Sequence, residues 1–212
     1  MNSLTNFTLV VFGVCLLAAV PAKAQSDEFR GFAIDMSRLS PQQKALLTPS
    51  YLEQINIIEA ANLPKEMLDF FKTVPTIIDP GFSKSGTHAL YRRTKDNPRG
   101  QVESDLTPIE PARPVLLHEM LHAYDANFWD FKNPVVIGAF NRAISDRLYS
   151  AKAEKSHFLA NPREFFAIAG TIYLVGKIKQ EPYDCKVLAA QQPKFIEFLE
   201  RVFGSKPYCR PS

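Results

Sequence analysis

His118, Glu119 and His122 stand as His-Glu-x-x-His inside the run Val115–Asp125. On an α-helix, positions i and i+4 lie on one face, a turn apart. The two imidazoles are then close enough to share one metal ion. Glu119, shifted by one position, reaches toward a metal-held water without becoming a ligand itself. The chemistry needs this layout: neutral imidazoles hold Zn²⁺ and leave a position open, and the carboxylate takes the water's proton as it attacks a carbonyl. A solvent-exposed helix that happens to carry two histidines is the bland alternative. Leu116, Leu117, Met120, Leu121 and Ala123 argue against it, because they make this helix a buried one. Two His and a Glu buried without a task would leave costly polar groups inside.

A catalytic zinc site takes three protein ligands and water. The extended pattern that supplies the third from the same segment is absent, since Asp125 and Phe128 occupy its Gly and His places. Downstream candidates are Asp125, Asp130, Glu154 and Glu164. Asp125 suits a hydrogen bond to a ligand imidazole better than ligation. Asp130 lies beyond the expected helix end, and Glu154 sits in a polar stretch between lysines. Glu164 opens a helix rich in Phe and Ile, but with Asn161 as N-cap it also completes a capping box. Cap and ligand compete for one carboxylate, and local sequence leaves the two readings open.

The pair of motifs His118–Asp125 and Asn161–Ala167, some forty residues apart, resembles the catalytic domain of anthrax lethal factor and its relatives, which are gluzincin-type zinc metallopeptidases. The likeness extends weakly to Pro193–Phe198 and covers about residues 75–203. It implies a zincin-like α+β fold and one Zn²⁺ per chain, held by His118, His122 and Glu164. Glu119 is then the general base. The family places a Tyr seven residues before its glutamate ligand, where it stabilises the oxyanion; His157 holds that position here. A histidine donating through one ring nitrogen can do the same work, and Tyr149 is the alternative donor. A second acidic residue often follows the family's Glu-Phe-Phe-Ala, whereas here Ile168 follows.

These residues must be positioned by mostly helical surroundings. Helices are expected at 41–60, in two pieces broken near Pro49, and at Pro64–Lys72. Further helices are expected from Pro114, over Pro134–Tyr149, from Asn161 to about Val175 and over Pro193–Phe203. A small sheet precedes the metal helix: Val74–Ile78, then Thr87–Arg92 pairing with it, then an edge strand at Gly100–Glu103. That edge near Val102 offers a place for a peptide substrate to add as a strand.

Residues 1–24 read as a secretory signal: the apolar stretch Thr8–Val20 is short for a membrane span, and small residues flank a cut after Ala24. No Lys or Arg precedes that stretch. The expected product is a secreted or periplasmic domain, residues 25–212, with no stable membrane insertion. Removal of the signal leaves Cys185 and Cys209, an expected disulfide around the last helix. On the chain-entropy view it is worth roughly 3 kcal/mol. A net charge of +3, with no basic run or stripe, gives no reason to expect nucleic-acid binding. The functional expectation is a zinc endopeptidase acting on a peptide or protein. The alternative is a zinc-binding interaction module without catalysis.

Overall fold

The computed structural model describes residues 29–82 and 87–209. The signal sequence and Cys15 lie outside the described residues. The chain is α+β, with a small mixed sheet ahead of the helix that carries His118 and His122. The described strands are β1 (Ile34–Asp35), β2 (Thr76–Ile78), β3 (Ala89–Arg92) and β4 (Gln101–Ser104). Helices α1 (Pro41–Ala60) and α2 (Lys65–Thr73) lie between β1 and β2. After the sheet come α3 (Val115–Trp129), α4 (Pro134–Ser145), α5 (Ala151–Glu154), a 3₁₀ turn at His157–Leu159 and α6 (Pro162–Val175). The described chain closes with α7 (Cys185–Gln191), α8 (Pro193–Phe203) and a 3₁₀ turn at Pro207–Cys209.

The sheet order is β1-β2-β4-β3, parallel from β1 through β4 and antiparallel between β4 and β3. This overturns two expectations. Gln101–Ser104 is an inner strand, with Val102 opposite Thr76 on one side and Tyr91 on the other. Ala89–Arg92 pairs with it rather than with β2, and is the edge among the described residues. The β3–β4 hairpin turns through Gly100, whose φ of +78° lies in the left-handed region. The sequence paired Thr87–Arg92 with Val74–Ile78 because they are consecutive; instead Gln101–Ser104 lies between them and buries Val102 beside Ile78.

Helix α1 runs unbroken through Pro49. Leu47 and Tyr51, buried on either side of the proline, hold both halves against the core and outweigh the missing hydrogen bond. Its start is a full capping box between Ser40 and Gln43. The helix expected to reach Tyr149 stops at Ser145. Arg147 turns left-handed at φ +50°, Leu148 N–H bonds Ala143 O, and Arg147 N–H bonds Ile144 O. That is a Schellman stop, made without the glycine that would have announced it.

The α6 segment from Phe165 to Leu174 is buried on all sides, the mark of a helix at the centre of a domain. Helix α3 packs along it and separates it from the sheet. Trp129 meets the rings of Phe166 at 5.3 Å and Phe198 at 5.7 Å, joining α3, α6 and α8. Gly170 lets the two central helices close: a Cβ there would stand 3.0 Å from Leu121 Cδ1. Cys185 and Cys209, with Cα atoms 5.1 Å apart, form the expected disulfide and enclose α7 and α8.

Gly100 tests the hairpin. A Cβ there would overlap the Tyr91 ring and hydroxyl, and that hydroxyl is anchored to Arg99 O at 2.6 Å. Gly100→Ala adds left-handed backbone strain to this clash and is expected to cost about 1–3 kcal/mol in urea denaturation. An unchanged midpoint would show that Tyr91 moves freely.

Candidate metal centre

Helix α3 begins at Pro114, a residue with no side-chain cap to offer. Gln54 supplies one from another helix: Leu116 N–H donates to Gln54 Oε1 at 3.2 Å, and Gln54 Nε2 donates to Arg113 O at 3.3 Å. Gln54 is fully buried beside Tyr51, Ile55 and Ile58. A polar residue within that apolar run was the sequence signal for it. The cap fixes where α3 starts, and so where His118 and His122 point.

The two imidazoles project from one face of α3, with Nε2 atoms 3.1 Å apart and ring planes at 89°. Glu164, in the first turn of α6, brings Oε2 to 3.2 Å from His118 Nε2 and 3.3 Å from His122 Nε2. Asn161 caps α6 alone, its side chain accepting from Arg163 N–H and Glu164 N–H. The Glu164 carboxylate makes no reciprocal bond to the cap and turns to the histidines instead. The competition for that carboxylate is decided by α3 lying across the start of α6, a tertiary fact.

His157 joins the same cluster. Its Nε2 lies 2.9 Å from Glu164 Oε2. His118, His157 and Glu164 offer ligand atoms that all lie within 4.8 Å of one another, a group that could hold a metal ion; His122, one of the three expected ligands, is outside that group and meets it through His118 Nε2 at 3.1 Å and Glu164 Oε2 at 3.3 Å. Tetrahedral bonds of zinc length set neighbouring donors about 3.3 Å apart, and the printed separations around Glu164 run from 2.9 to 3.3 Å. Hydrogen bonding alone accounts poorly for the arrangement. Glu164 Oε2 is buried and has no partner at hydrogen-bond geometry, although three ring nitrogens crowd it. An oxygen approached by three donors yet bonded to none fits a position shared with a cation. Burial by itself would raise the Glu164 carboxyl, but the three imidazoles overcome that and hold it far below the usual carboxylate range.

Glu119 lies beside the cluster, buried, and accepts from Tyr91 N–H at 2.6 Å. Burial raises its carboxyl above the ordinary value, against the pull of His118 and of the Tyr91 N–H. Sequence reasoning missed Tyr91, because a backbone donor leaves no residue-type signature. Leu90 and Glu103 face each other in the hairpin, and His88 O accepts from Asp105 N–H. In an antiparallel pair such bonds alternate, so Ala89 and Tyr91 turn their peptide groups to the open side. Tyr91 N–H meets Glu119 there. The cleft that results, of about 400 Å³, runs between β3 and the chain around Ala112–Val115, with His118, Glu119, His157 and Glu164 at its floor.

The other expected participants fall elsewhere. Tyr149 is buried, its hydroxyl accepting from Gln192 Nε2 at 3.4 Å, and it does not line the cleft. Asp130 caps α3 in a left-handed conformation and pairs with Lys132 and Arg93. Glu154 ends the one-turn helix α5, exposed, rather than lying in a loop. Asp125 makes no hydrogen bond to a ligand imidazole: its Oδ1 is buried without a partner.

No protein-family model, curated protein or solved structure matches this chain. The functional argument therefore rests on these residues and distances.

Asp125 predicts a pH dependence. Burial pushes its carboxyl up to about 7, from an ordinary 3.8, against Arg163 and Arg93. Between those values the folded chain keeps a proton that the unfolded chain has lost. Stability from this group is therefore full near pH 4 and falls as pH rises through about 7. Asp125→Asn is expected to match the parent near pH 4 and to exceed it in melting temperature at pH 8. Parallel curves for the two proteins would place the carboxyl outside that window.

Proposed function

We propose that this chain is an exported zinc-dependent endopeptidase, with His118, His122 and Glu164 as metal ligands and Glu119 as general base. The observation that carries the reading is Glu164 Oε2, buried among imidazoles and hydrogen-bonded to none of them. The family resemblance of the two motifs agrees with it. Glutamate from a second helix beside a His-Glu-x-x-His helix is the donor set of a zinc hydrolase rather than of a calcium or magnesium site.

A zinc ion held there would polarise a carbonyl oxygen and acidify water. The chain's own residues do the rest. Glu119 has one oxygen pinned by Tyr91 N–H, so the other is free to take the proton of the attacking water and return it to the leaving amine. Its raised carboxyl makes it a better base than an exposed glutamate. The open peptide groups of β3 can align an extended substrate by strand addition, with Ala89 and Leu90 at the cleft wall. This moves the docking strand from Val102 to β3. His157, at the floor of the cleft, can donate a hydrogen bond to the oxyanion. No helix among the described residues is long and apolar enough to cross a membrane, and the disulfide suits an oxidising compartment. The disulfide supports export.

Metal analysis and peptide-library cleavage test the proposal together. Purified protein is expected to carry about one zinc per chain and to cut peptides in a chelator-sensitive way. Glu119→Gln should keep zinc and lose at least about a hundredfold in turnover. Glu164→Gln should lose zinc itself under a competing chelator. Zinc retained with no cleavage across a diverse library would convert the reading to a zinc-binding interaction module. Equal metal in wild type and His118→Ala would remove the site.

A further inference from the structure

His157 was expected to act on the substrate, yet its ring nitrogen is the nearest of the three to Glu164 Oε2, at 2.9 Å against 3.2 and 3.3 Å. It belongs geometrically to the donor set, with His118 and Glu164. It differs from the other donors in how it is held. The side chains of His118, His122 and Glu164 are 16%, 10% and 16% exposed, whereas that of His157 is 61% exposed.

Its backbone is nonetheless fixed. Ser156 caps the 3₁₀ turn by accepting from Phe158 N–H, and Ser156 Oγ donates to Ala153 O at 2.7 Å. Phe158, the next residue, is fully buried against Tyr149 at 5.0 Å and Phe165 at 5.2 Å. The anchored turn presents a largely exposed imidazole to the Glu164 carboxylate.

We propose that His157 is a fourth, displaceable metal ligand that closes the site at rest. The inference rests on the zinc reading above and adds a gate to it. Four protein donors are the pattern of structural zinc, three with an open position the pattern of catalytic zinc. A solvent-exposed fourth donor would let one chain pass between the two. A peptide entering along β3 meets His157 at the floor of the cleft. Rotation of the ring outward frees the coordination position and leaves its nitrogen beside the cleft as a hydrogen-bond donor.

X-ray absorption at the zinc edge of the full chain, loaded with zinc and without substrate, reads the proposal directly. Wild type is expected to show three imidazoles per zinc, and His157→Ala two imidazoles with a light oxygen donor in the vacated place. Zinc competition should show His157→Ala weaker by about ten- to a hundredfold, the range for losing a supporting contact rather than a core ligand. His118→Ala should lose far more. Azide added to the cobalt-loaded protein should perturb the visible spectrum of His157→Ala more strongly than that of wild type. Two imidazoles in wild type, with unchanged affinity in His157→Ala, would overturn the gate while leaving the zinc site intact. A wild-type protein that takes up no zinc would overturn both.

Discussion

A carboxylate oxygen buried among three imidazole nitrogens is the constraint around which this chain is arranged. Glu164 Oε2 has the His118, His122 and His157 rings at 2.9 to 3.3 Å and no hydrogen bond to any of them. Taking a carboxylate out of water is costly; the three imidazoles offset that cost for Glu164, and the fold must keep them together. It does so through the contact of α3 with α6, the most extensive helix pair among the described residues. Gly170 permits the close approach, and Trp129 locks the far end onto Phe166 and Phe198. A cation at the cluster would turn the same oxygen from a liability into a ligand.

Each partner of the cluster is steadied from outside it. Gln54 caps α3 where Pro114 cannot. Asn161 caps α6 and leaves the Glu164 carboxylate unoccupied by that task. Tyr91 N–H fixes Glu119, and Tyr91 is itself fixed by its hydroxyl bond to Arg99 O and by Asn127 Nδ2 at 3.1 Å. Asn127 lies on α3, so the strand and the helix that meet at Glu119 are also tied together about two turns further along the helix. Small rotations of either element would disturb Glu119 and the histidine cluster together.

Charge is distributed unevenly around this centre. Burial raises Glu119 and Asp125, one turn and a half apart on α3, while the imidazoles depress Glu164. Neighbouring carboxyls driven in opposite directions are a mark of functional sites. Asp125 is the member without an assigned task. Its buried Oδ1 lacks a partner, and the nearby Arg93 and Arg163 stack on Phe131 instead of closing on it.

The sequence alone marked His118, Glu119 and His122 as one chemically capable face of α3, while the choice of Glu164 as their partner came from the resemblance. His-Glu-x-x-His at helical spacing, flanked by apolar residues, defines a face, and faces follow from the 3.6-residue period without knowledge of the fold. The α8 bounds, the α6 stretch and the Cys185–Cys209 pair were legible for the same local reasons. Strand order was not: β2, β3 and β4 are three or four residues each, too short for alternation to mark an edge. Nor were the left-handed stop at Arg147 and the passage of α1 through Pro49, where burial of distant side chains outweighs local preference. Only the tertiary structure decided that Glu164 faces the histidines, that Tyr91 holds the base, and that His157 stands among the ligands. The first two of these join residues 28 to 46 positions apart, and a spacing of that length is converted to a distance only by the packing of the elements between.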